Sequence, residues 1–225
     1  MKYKAVIFDL FGTLVPDMSP AAVEGILRQM CTVLDAPFEE FSRRWRETFE
    51  AQMVGRLLGD RITLDHVCGD MGLPLNDVQA AAAAQFWIDK VKDLLSDVRP
   101  AAREVLATLR AKGCMIGLVS NSSFETVVQW NDTDLAPLFD ATVFSCLEGM
   151  MKPDPRIFGL VCQRLGVPPD LCVYVADGIG GELSAASAFG MHAMRIMPFG
   201  YEVNPFSEEW NGLVVSTVPE VLDVL

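Results

Sequence analysis

The chain has 225 residues, 51% of them hydrophobic, enough for one large domain or for a core that carries a smaller insert. Its 18 basic and 30 acidic residues give a net charge of −12, which argues against nucleic acid as a partner, because phosphate-backbone binding needs clustered Lys and Arg. No run of 18 uncharged apolar residues could span a bilayer, and the six scattered cysteines read as small buried hydrophobes of a reducing cytoplasm.

In chain order, MKYKAVIFDLFGTL opens with a short apolar run, residues 3–8, that ends at Asp9; no small-residue cleavage site follows, so it reads as a buried strand and not a signal. From 16 to 96 the texture turns helical, with stretches at 21–34, 39–57, 63–71 and 77–95 separated at Pro37, Gly59 and Gly72. Trp45, Phe49, Met53, Phe86, Trp87 and Val91 fall on helical stripes and read as the core of a small bundle. Beyond it, apolar runs rich in β-branched residues at 115–120, 141–145, 172–176, 192–196 and 213–215 alternate with helical patterns. The helical patterns at 100–112, 154–165 and 181–189 each stop at a glycine suited to a left-handed cap, Gly113, Gly166 and Gly190. Strand, helix, strand at this spacing predicts a doubly wound parallel-sheet (Rossmann-like) α/β core over 1–15 and 97–225, with residues 16–96 as an inserted all-helical cap. An insert that departs directly after Asp9 would stand over the carboxyl ends of the strands, like a lid.

Four strand ends carry chemistry. FDLFGTL offers the carboxylate of Asp9, with Gly12 and Thr13 to turn the backbone and supply amides and a hydroxyl. LVSNSS places Ser120 and Asn121 where they could hydrogen-bond an anion. GMMKPDPRIF offers Lys152 as a point charge for a phosphoryl oxygen, and VYVADGIGGEL places Asp177 and Glu182 around a glycine-rich loop with room for a hard cation. Singly, each has an ordinary reading: a turn aspartate, a solvated loop lysine, a helix-starting glutamate. Together they assemble nucleophile, anion donors, cation and metal ligands on one sheet edge.

In order and spacing these segments resemble the four motifs of the haloacid dehalogenase superfamily: FDLFGTL the first, LVSN the second, MKPDPRIF the third and YVADGIGGELSAASAFGM the fourth. The resemblance covers nearly the whole chain, with the helical insert where that family carries a cap. It implies that Asp9 is a nucleophile, that Ser120 and Lys152 hold the transferring group, and that Asp9, Asp177 and Glu182 ligate Mg²⁺ together with the backbone carbonyl of Phe11. The acidic pair beside an intact nucleophile favours a phosphatase, and a cap that excludes water favours a small soluble phosphorylated metabolite; charge and hydropathy argue against a nucleic-acid or membrane partner, and the sequence carries no signal for an oligomeric state.

One position departs from the pattern. Phosphatases of the superfamily carry a second Asp two residues after the nucleophile as general acid, and here that residue is Phe11. Asp17 and His66 are candidate stand-ins, and a leaving group of low pKa would need no acid. An aromatic there is also a feature of the superfamily's metal-independent 2-haloacid dehalogenases, which makes carbon–halogen hydrolysis the rival reading. Against it, Asp177 and Glu182 would repel one another without a cation. Hydrolysis of a C–P bond fits less well, because it would need a Schiff-base lysine in the cap and only Lys90 and Lys92, near its exit, are present. A non-catalytic phospho-ligand-binding module is a third reading. Arg43, Arg44 and Arg46 form either a solvated helix face or an anion contact.

Overall fold

The computed structural model describes residues 2–197 and 206–225; residues 1 and 198–205 of the expected core lie outside them. The first strand, β1 (Ala5–Phe8), is buried on both faces, as its unbroken apolar run requires. Five helices follow: α1 (Pro20–Leu34), α2 (Phe38–Glu47), α3 (Phe49–Met53), α4 (Asp60–Asp70) and α5 (Asp77–Ser96). Then come α6 (Ala102–Ala111), β2 (Met115–Ser120), α7 (Phe124–Trp130), β3 (Ala141–Phe144), α8 (Ser145–Glu148) and α9 (Pro155–Leu165). The chain closes with β4 (Cys172–Ala176), α10 (Glu182–Ala188), β5 (His192–Ile196), β6 (Leu213–Val215) and α11 (Val221–Val224).

The strands form one parallel sheet in the order β3-β2-β1-β4-β5-β6. Chain order reverses at β1, which has β2 on one side and β4 on the other, so a crevice opens between the carboxyl ends of β1 and β4. Alternation along β1 sends Val6 and Phe8 into one apolar cluster and Ala5 and Ile7 into another, on opposite faces of the sheet. The expected doubly wound α/β core is present. The glycines after α6, α9 and α10 adopt positive φ, +80° at Gly113, +66° at Gly166 and +103° at Gly190.

The helical segment has an apolar cluster of its own, built from Leu27, Met30, Phe41, Trp45, Leu64, Val67 and Ala83 among others. Met18 and Trp87 pack against both this cluster and one of the sheet clusters. Side chains set its boundaries: Ser19 accepts the Ala22 N–H to start α1, and Asn76 accepts that of Gln79 to start α5. The helix expected over 39–57 is broken in two. The Thr48 hydroxyl bonds the Trp45 carbonyl and accepts from Gln52 Nε2, which ends α2 and begins α3.

Helical segment and sheet meet through polar contacts as well as packing. Glu125, at the start of α7, accepts the Asp60 N–H at 2.7 Å, and Gln129 donates to the Ile88 carbonyl at 3.2 Å. Asp60 itself is 4% exposed, and among the described residues neither of its carboxylate oxygens has a hydrogen-bond partner. Burial first, and then the Glu125 charge, push its carboxyl up to about 8. Unfolded, the same group titrates near pH 4. The folded state thus holds this proton more tightly, and its contribution to stability is full below pH 4 and lost as pH rises towards 8. Asp60→Asn is expected to stabilise the fold at pH 8 by roughly a few kcal/mol, seen as a higher melting temperature there and a flatter fall between pH 4 and 8. Thermal scans across that range test this; equal destabilisation at pH 5 and pH 8 would mean that the carboxylate is paired in solution.

Candidate active site

Asp9 follows β1 directly. Its N–H donates to the Val175 carbonyl at 2.9 Å, extending the β1–β4 ladder by one residue, so its carboxylate emerges at the crevice where chain order reverses. Thr13 Oγ1 donates to Asp9 Oδ2 at 3.3 Å. Between them Gly12 turns at φ +75°, and a Cβ there would lie 2.0 Å from Asp177 Oδ2. A side chain at position 12 would displace that carboxylate. Asp177 follows β4 and accepts the Ile179 N–H at 3.1 Å, and Glu182 opens α10.

Lys152 enters from the segment between α8 and α9. Its Nζ stands 2.5 Å from Asp9 Oδ1, 2.6 Å from Glu182 Oε2 and 3.1 Å from the Tyr174 hydroxyl. Tyr174 donates to Glu182 Oε2 at 2.7 Å, and the Gly178 N–H to Oε1 at 3.2 Å. Glu182 is thus held as a counter-ion to Lys152, with both of its oxygens engaged.

Asn121, expected to meet an anion, is used differently. Its Oδ1 accepts the Lys152 N–H at 2.8 Å and its Nδ2 donates to the Lys152 carbonyl at 3.0 Å, so the amide braces the main chain of the lysine. Ser120, the last residue of β2, is fully buried, and its hydroxyl lies 2.6 Å from that of Ser122. Tyr174 was not singled out by sequence. The available signal was a lone phenol in the aliphatic strand CVYVA, since a buried Tyr hydroxyl requires a partner that Phe would not.

Of the residues expected on one sheet edge, Lys152 meets Asp9 and Glu182, and carboxylate oxygens of Asp9, Asp177 and Glu182 all lie within 4.8 Å of one another. Three carboxylates facing one ammonium leave two negative charges uncompensated if all are ionised. Burial pushes Asp9 up to about 7 against the pull of Lys152, and burial followed by the charges of Asp9 and Glu182 pushes Asp177 up to about 8. Burial works to lower Lys152, but Asp9 and Glu182 prevail and hold it above its ordinary value. The donor set is all oxygen, and when its three carboxylates are ionised the excess of two charges is one that a hard divalent cation would neutralise.

The candidate stand-ins for a general acid have partners of their own. His66 stands 3.9 Å from Asp70 on the surface of α4, and Asp17 accepts the N–H of its neighbour Met18. Phe11 forms a backbone bridge with Val15 and packs against the apolar cluster beneath the loop. Arg43 pairs with Glu47, and Arg44 with Glu40 and Asp70, the ion-pair pattern of a solvated helix face.

Residues 3–190 match the family model described as haloacid dehalogenase-like hydrolase. The chain belongs to this family. As a haloacid dehalogenase-like hydrolase it is an enzyme, and its relatives span two chemistries. It is 26% identical over 231 residues to (S)-2-haloacid dehalogenase 4A of Burkholderia cepacia, covering 92% of this chain and 93% of that protein. It is 25% identical over 236 residues to glyceraldehyde 3-phosphate phosphatase of Pyrococcus furiosus, covering 100% and 93%. It also matches acyl-CoA dehydrogenase family member 10 of Mus musculus, 26% identical over 86% of this chain, but spans only 18% of that protein. In fold it is similar to a HAD family enzyme from Bacteroides thetaiotaomicron solved in complex with magnesium and inorganic phosphate, with a TM-score of 0.63 and 20% identity over 93% of this chain and 98% of that one. Among the described residues no helix is long and apolar enough to cross a membrane.

Proposed function

We propose that this hydrolase is a Mg²⁺-dependent phosphatase that acts on a small phosphorylated metabolite through Asp9. The observation that carries the reading is the cluster of buried Asp9 and Glu182 with half-buried Asp177, two of them paired with Lys152. An Asp9 oxygen attacks phosphorus, the bond from phosphorus to the leaving oxygen breaks, and the leaving group takes its electron pair and a proton from water. Water then attacks the phosphorus of the aspartyl phosphate; the bond to Asp9 breaks, and the carboxylate and inorganic phosphate are released. Throughout, Lys152 offers its ammonium to the phosphoryl oxygens, held at its main chain by Asn121 and at Nζ by Glu182 and Tyr174. Ser120 and the Gly12 amide would line the anion site, while the Thr13 N–H is turned to the Leu10 carbonyl at 3.3 Å.

Asp9 and Asp177, with the Phe11 carbonyl and the nearby Glu182, would hold Mg²⁺, which when bound neutralises charge on the transferring group. The relative named as a phosphatase and the neighbour solved with magnesium and phosphate support this reading. With Phe11 in place of an acid, the favoured substrates are those whose leaving group needs no protonation, such as acyl and aryl phosphates. Residues 16–96 would serve as a lid that excludes water and bulky substrates from the crevice. Six buried free cysteines suit a reducing cytoplasm.

A second reading, attack of Asp9 on the halogen-bearing carbon of a 2-haloacid, draws on the apolar Phe11 and the dehalogenase relative. One experiment separates the two. The protein is incubated with 4-nitrophenyl phosphate and acetyl phosphate, with Mg²⁺ or with EDTA, and in parallel with 2-chloropropionate in EDTA. Phosphate release at least about 10-fold faster with Mg²⁺ is the expected result; halide release in EDTA with no phosphate release would overturn the phosphatase reading.

A further inference from the structure

The chain leaves the sheet for the helical segment after the Asp9 loop and returns between α5 and α6, so its two connecting stems run side by side. Arg99, on the returning stem, fastens them. Its N–H donates to the Leu14 carbonyl at 2.9 Å, and its Nη2 donates to the Gly12 carbonyl at 2.6 Å. Arg99 lies outside all four motif segments, 87 positions from Gly12 in sequence.

What Arg99 grips is a closely packed peptide. Gly12 stands at φ +75° with Asp177 Oδ2 in the space a Cβ would take. A peptide unit is planar and trans, so the Gly12 carbonyl, gripped by Arg99, and the Thr13 N–H, which donates to the Leu10 carbonyl at 3.3 Å, are held from both sides of one plane. Thr13 in turn donates its hydroxyl to Asp9 Oδ2. A left-handed glycine has low barriers to alternative backbone angles, and a charged donor on its carbonyl selects one of them.

We infer that Arg99 is a positioning residue for the site. Through Gly12 it sets where the Asp177 carboxylate rests and where Thr13 is aimed, and it links the returning stem of the helical segment to that geometry. The part of the inference that concerns metal affinity rests on the Mg²⁺ reading above; the part that concerns the loop does not.

The test compares wild type with Arg99→Met, which keeps the length of the side chain but not its donors, and Arg99→Lys, which restores a single cationic donor. Arg103→Met serves as a control, since among the described residues Arg103 pairs with exposed Asp134 at the surface. Two readouts are taken on the whole protein: hydrogen exchange of segments 9–15 and 176–183, and Mg²⁺ affinity by calorimetry without substrate. Arg99→Met should speed exchange in those two segments, and weaken Mg²⁺ binding, by about 10- to 100-fold, the scale of one hydrogen bond from a charged donor. Exchange in β1 and β2 should be unchanged, and Arg99→Lys should recover part of both effects. Unchanged exchange in the two segments, or a rise spread evenly over the whole molecule, would overturn the inference, as would Mg²⁺ affinity unchanged from a wild type that binds the ion. A wild type that takes up no Mg²⁺ while Arg99→Met still loosens the two segments would overturn the metal reading and leave the positioning role standing. Should Arg99→Met fail to fold, Arg99→Lys decides by the same readouts, with a smaller rise in exchange expected and wild-type exchange overturning the inference.

Discussion

Asp9→Asn is expected to abolish turnover, lowering kcat by at least about 10³-fold on 4-nitrophenyl phosphate and acetyl phosphate, with the fold intact. The substitution preserves shape, so the Thr13 hydroxyl and the Val175 carbonyl keep their partner at position 9. It removes the one group that can form the covalent intermediate. It also removes a buried carboxylate from a cluster in which three face a single ammonium. Burial and the Asp9 charge both hold Asp177 up to about 8, and without Asp9 that group should ionise at lower pH. The protein should therefore lose activity without losing stability, which a melting curve beside the rate assay would show. Residual turnover within about 10-fold of wild type would move the nucleophile elsewhere.

Phe11→Asp is expected to act in the opposite direction. A positioned general acid is worth about 10²–10⁴-fold for a leaving group that needs a proton, and almost nothing for one that does not. Turnover of an alkyl phosphate such as glycerol phosphate should rise on that scale, while acetyl phosphate hydrolysis stays within a few-fold. The Phe11 ring packs against the apolar cluster beneath the loop, so some stability is lost, by roughly 1–3 kcal/mol. The ratio of the two substrates' kcat/KM values, wild type against variant, reads the effect free of that loss. A ratio that does not change in a folded variant would mean that another group already protonates the leaving oxygen, or that the reaction is not phosphoryl transfer.

Both expectations depend on features of unequal visibility in the sequence. The α/β core was legible because buried parallel strands must be continuous apolar runs and their helices must stop, so that runs such as CVYVA and the glycines at 113, 166 and 190 mark both ends of each unit. The break at Thr48 was not, because the helical pattern continues through it and a side-chain bond to the Trp45 carbonyl decides it. The short helices α7 and α8 were missed for a related reason: a single or double turn leaves too little periodicity to detect.

At the site, strand-end positions nominate Asp9, Ser120 and Asp177, because chemistry at the carboxyl ends of parallel strands is a property of chain order, while Lys152, between α8 and α9, and Glu182, at the start of α10, are nominated by residue type and by the resemblance of their segments to the family's motifs. Partnership was decided only by the tertiary structure. Asn121 braces the Lys152 main chain, Tyr174 and Glu182 hold its ammonium, His66 is turned to Asp70, and Arg99 grips Gly12 from 87 positions away. A sequence states which donors and acceptors exist. Which of them meet depends on burial, where an unpaired polar group is costly and every donor must find the acceptor that the fold has brought within about 3 Å.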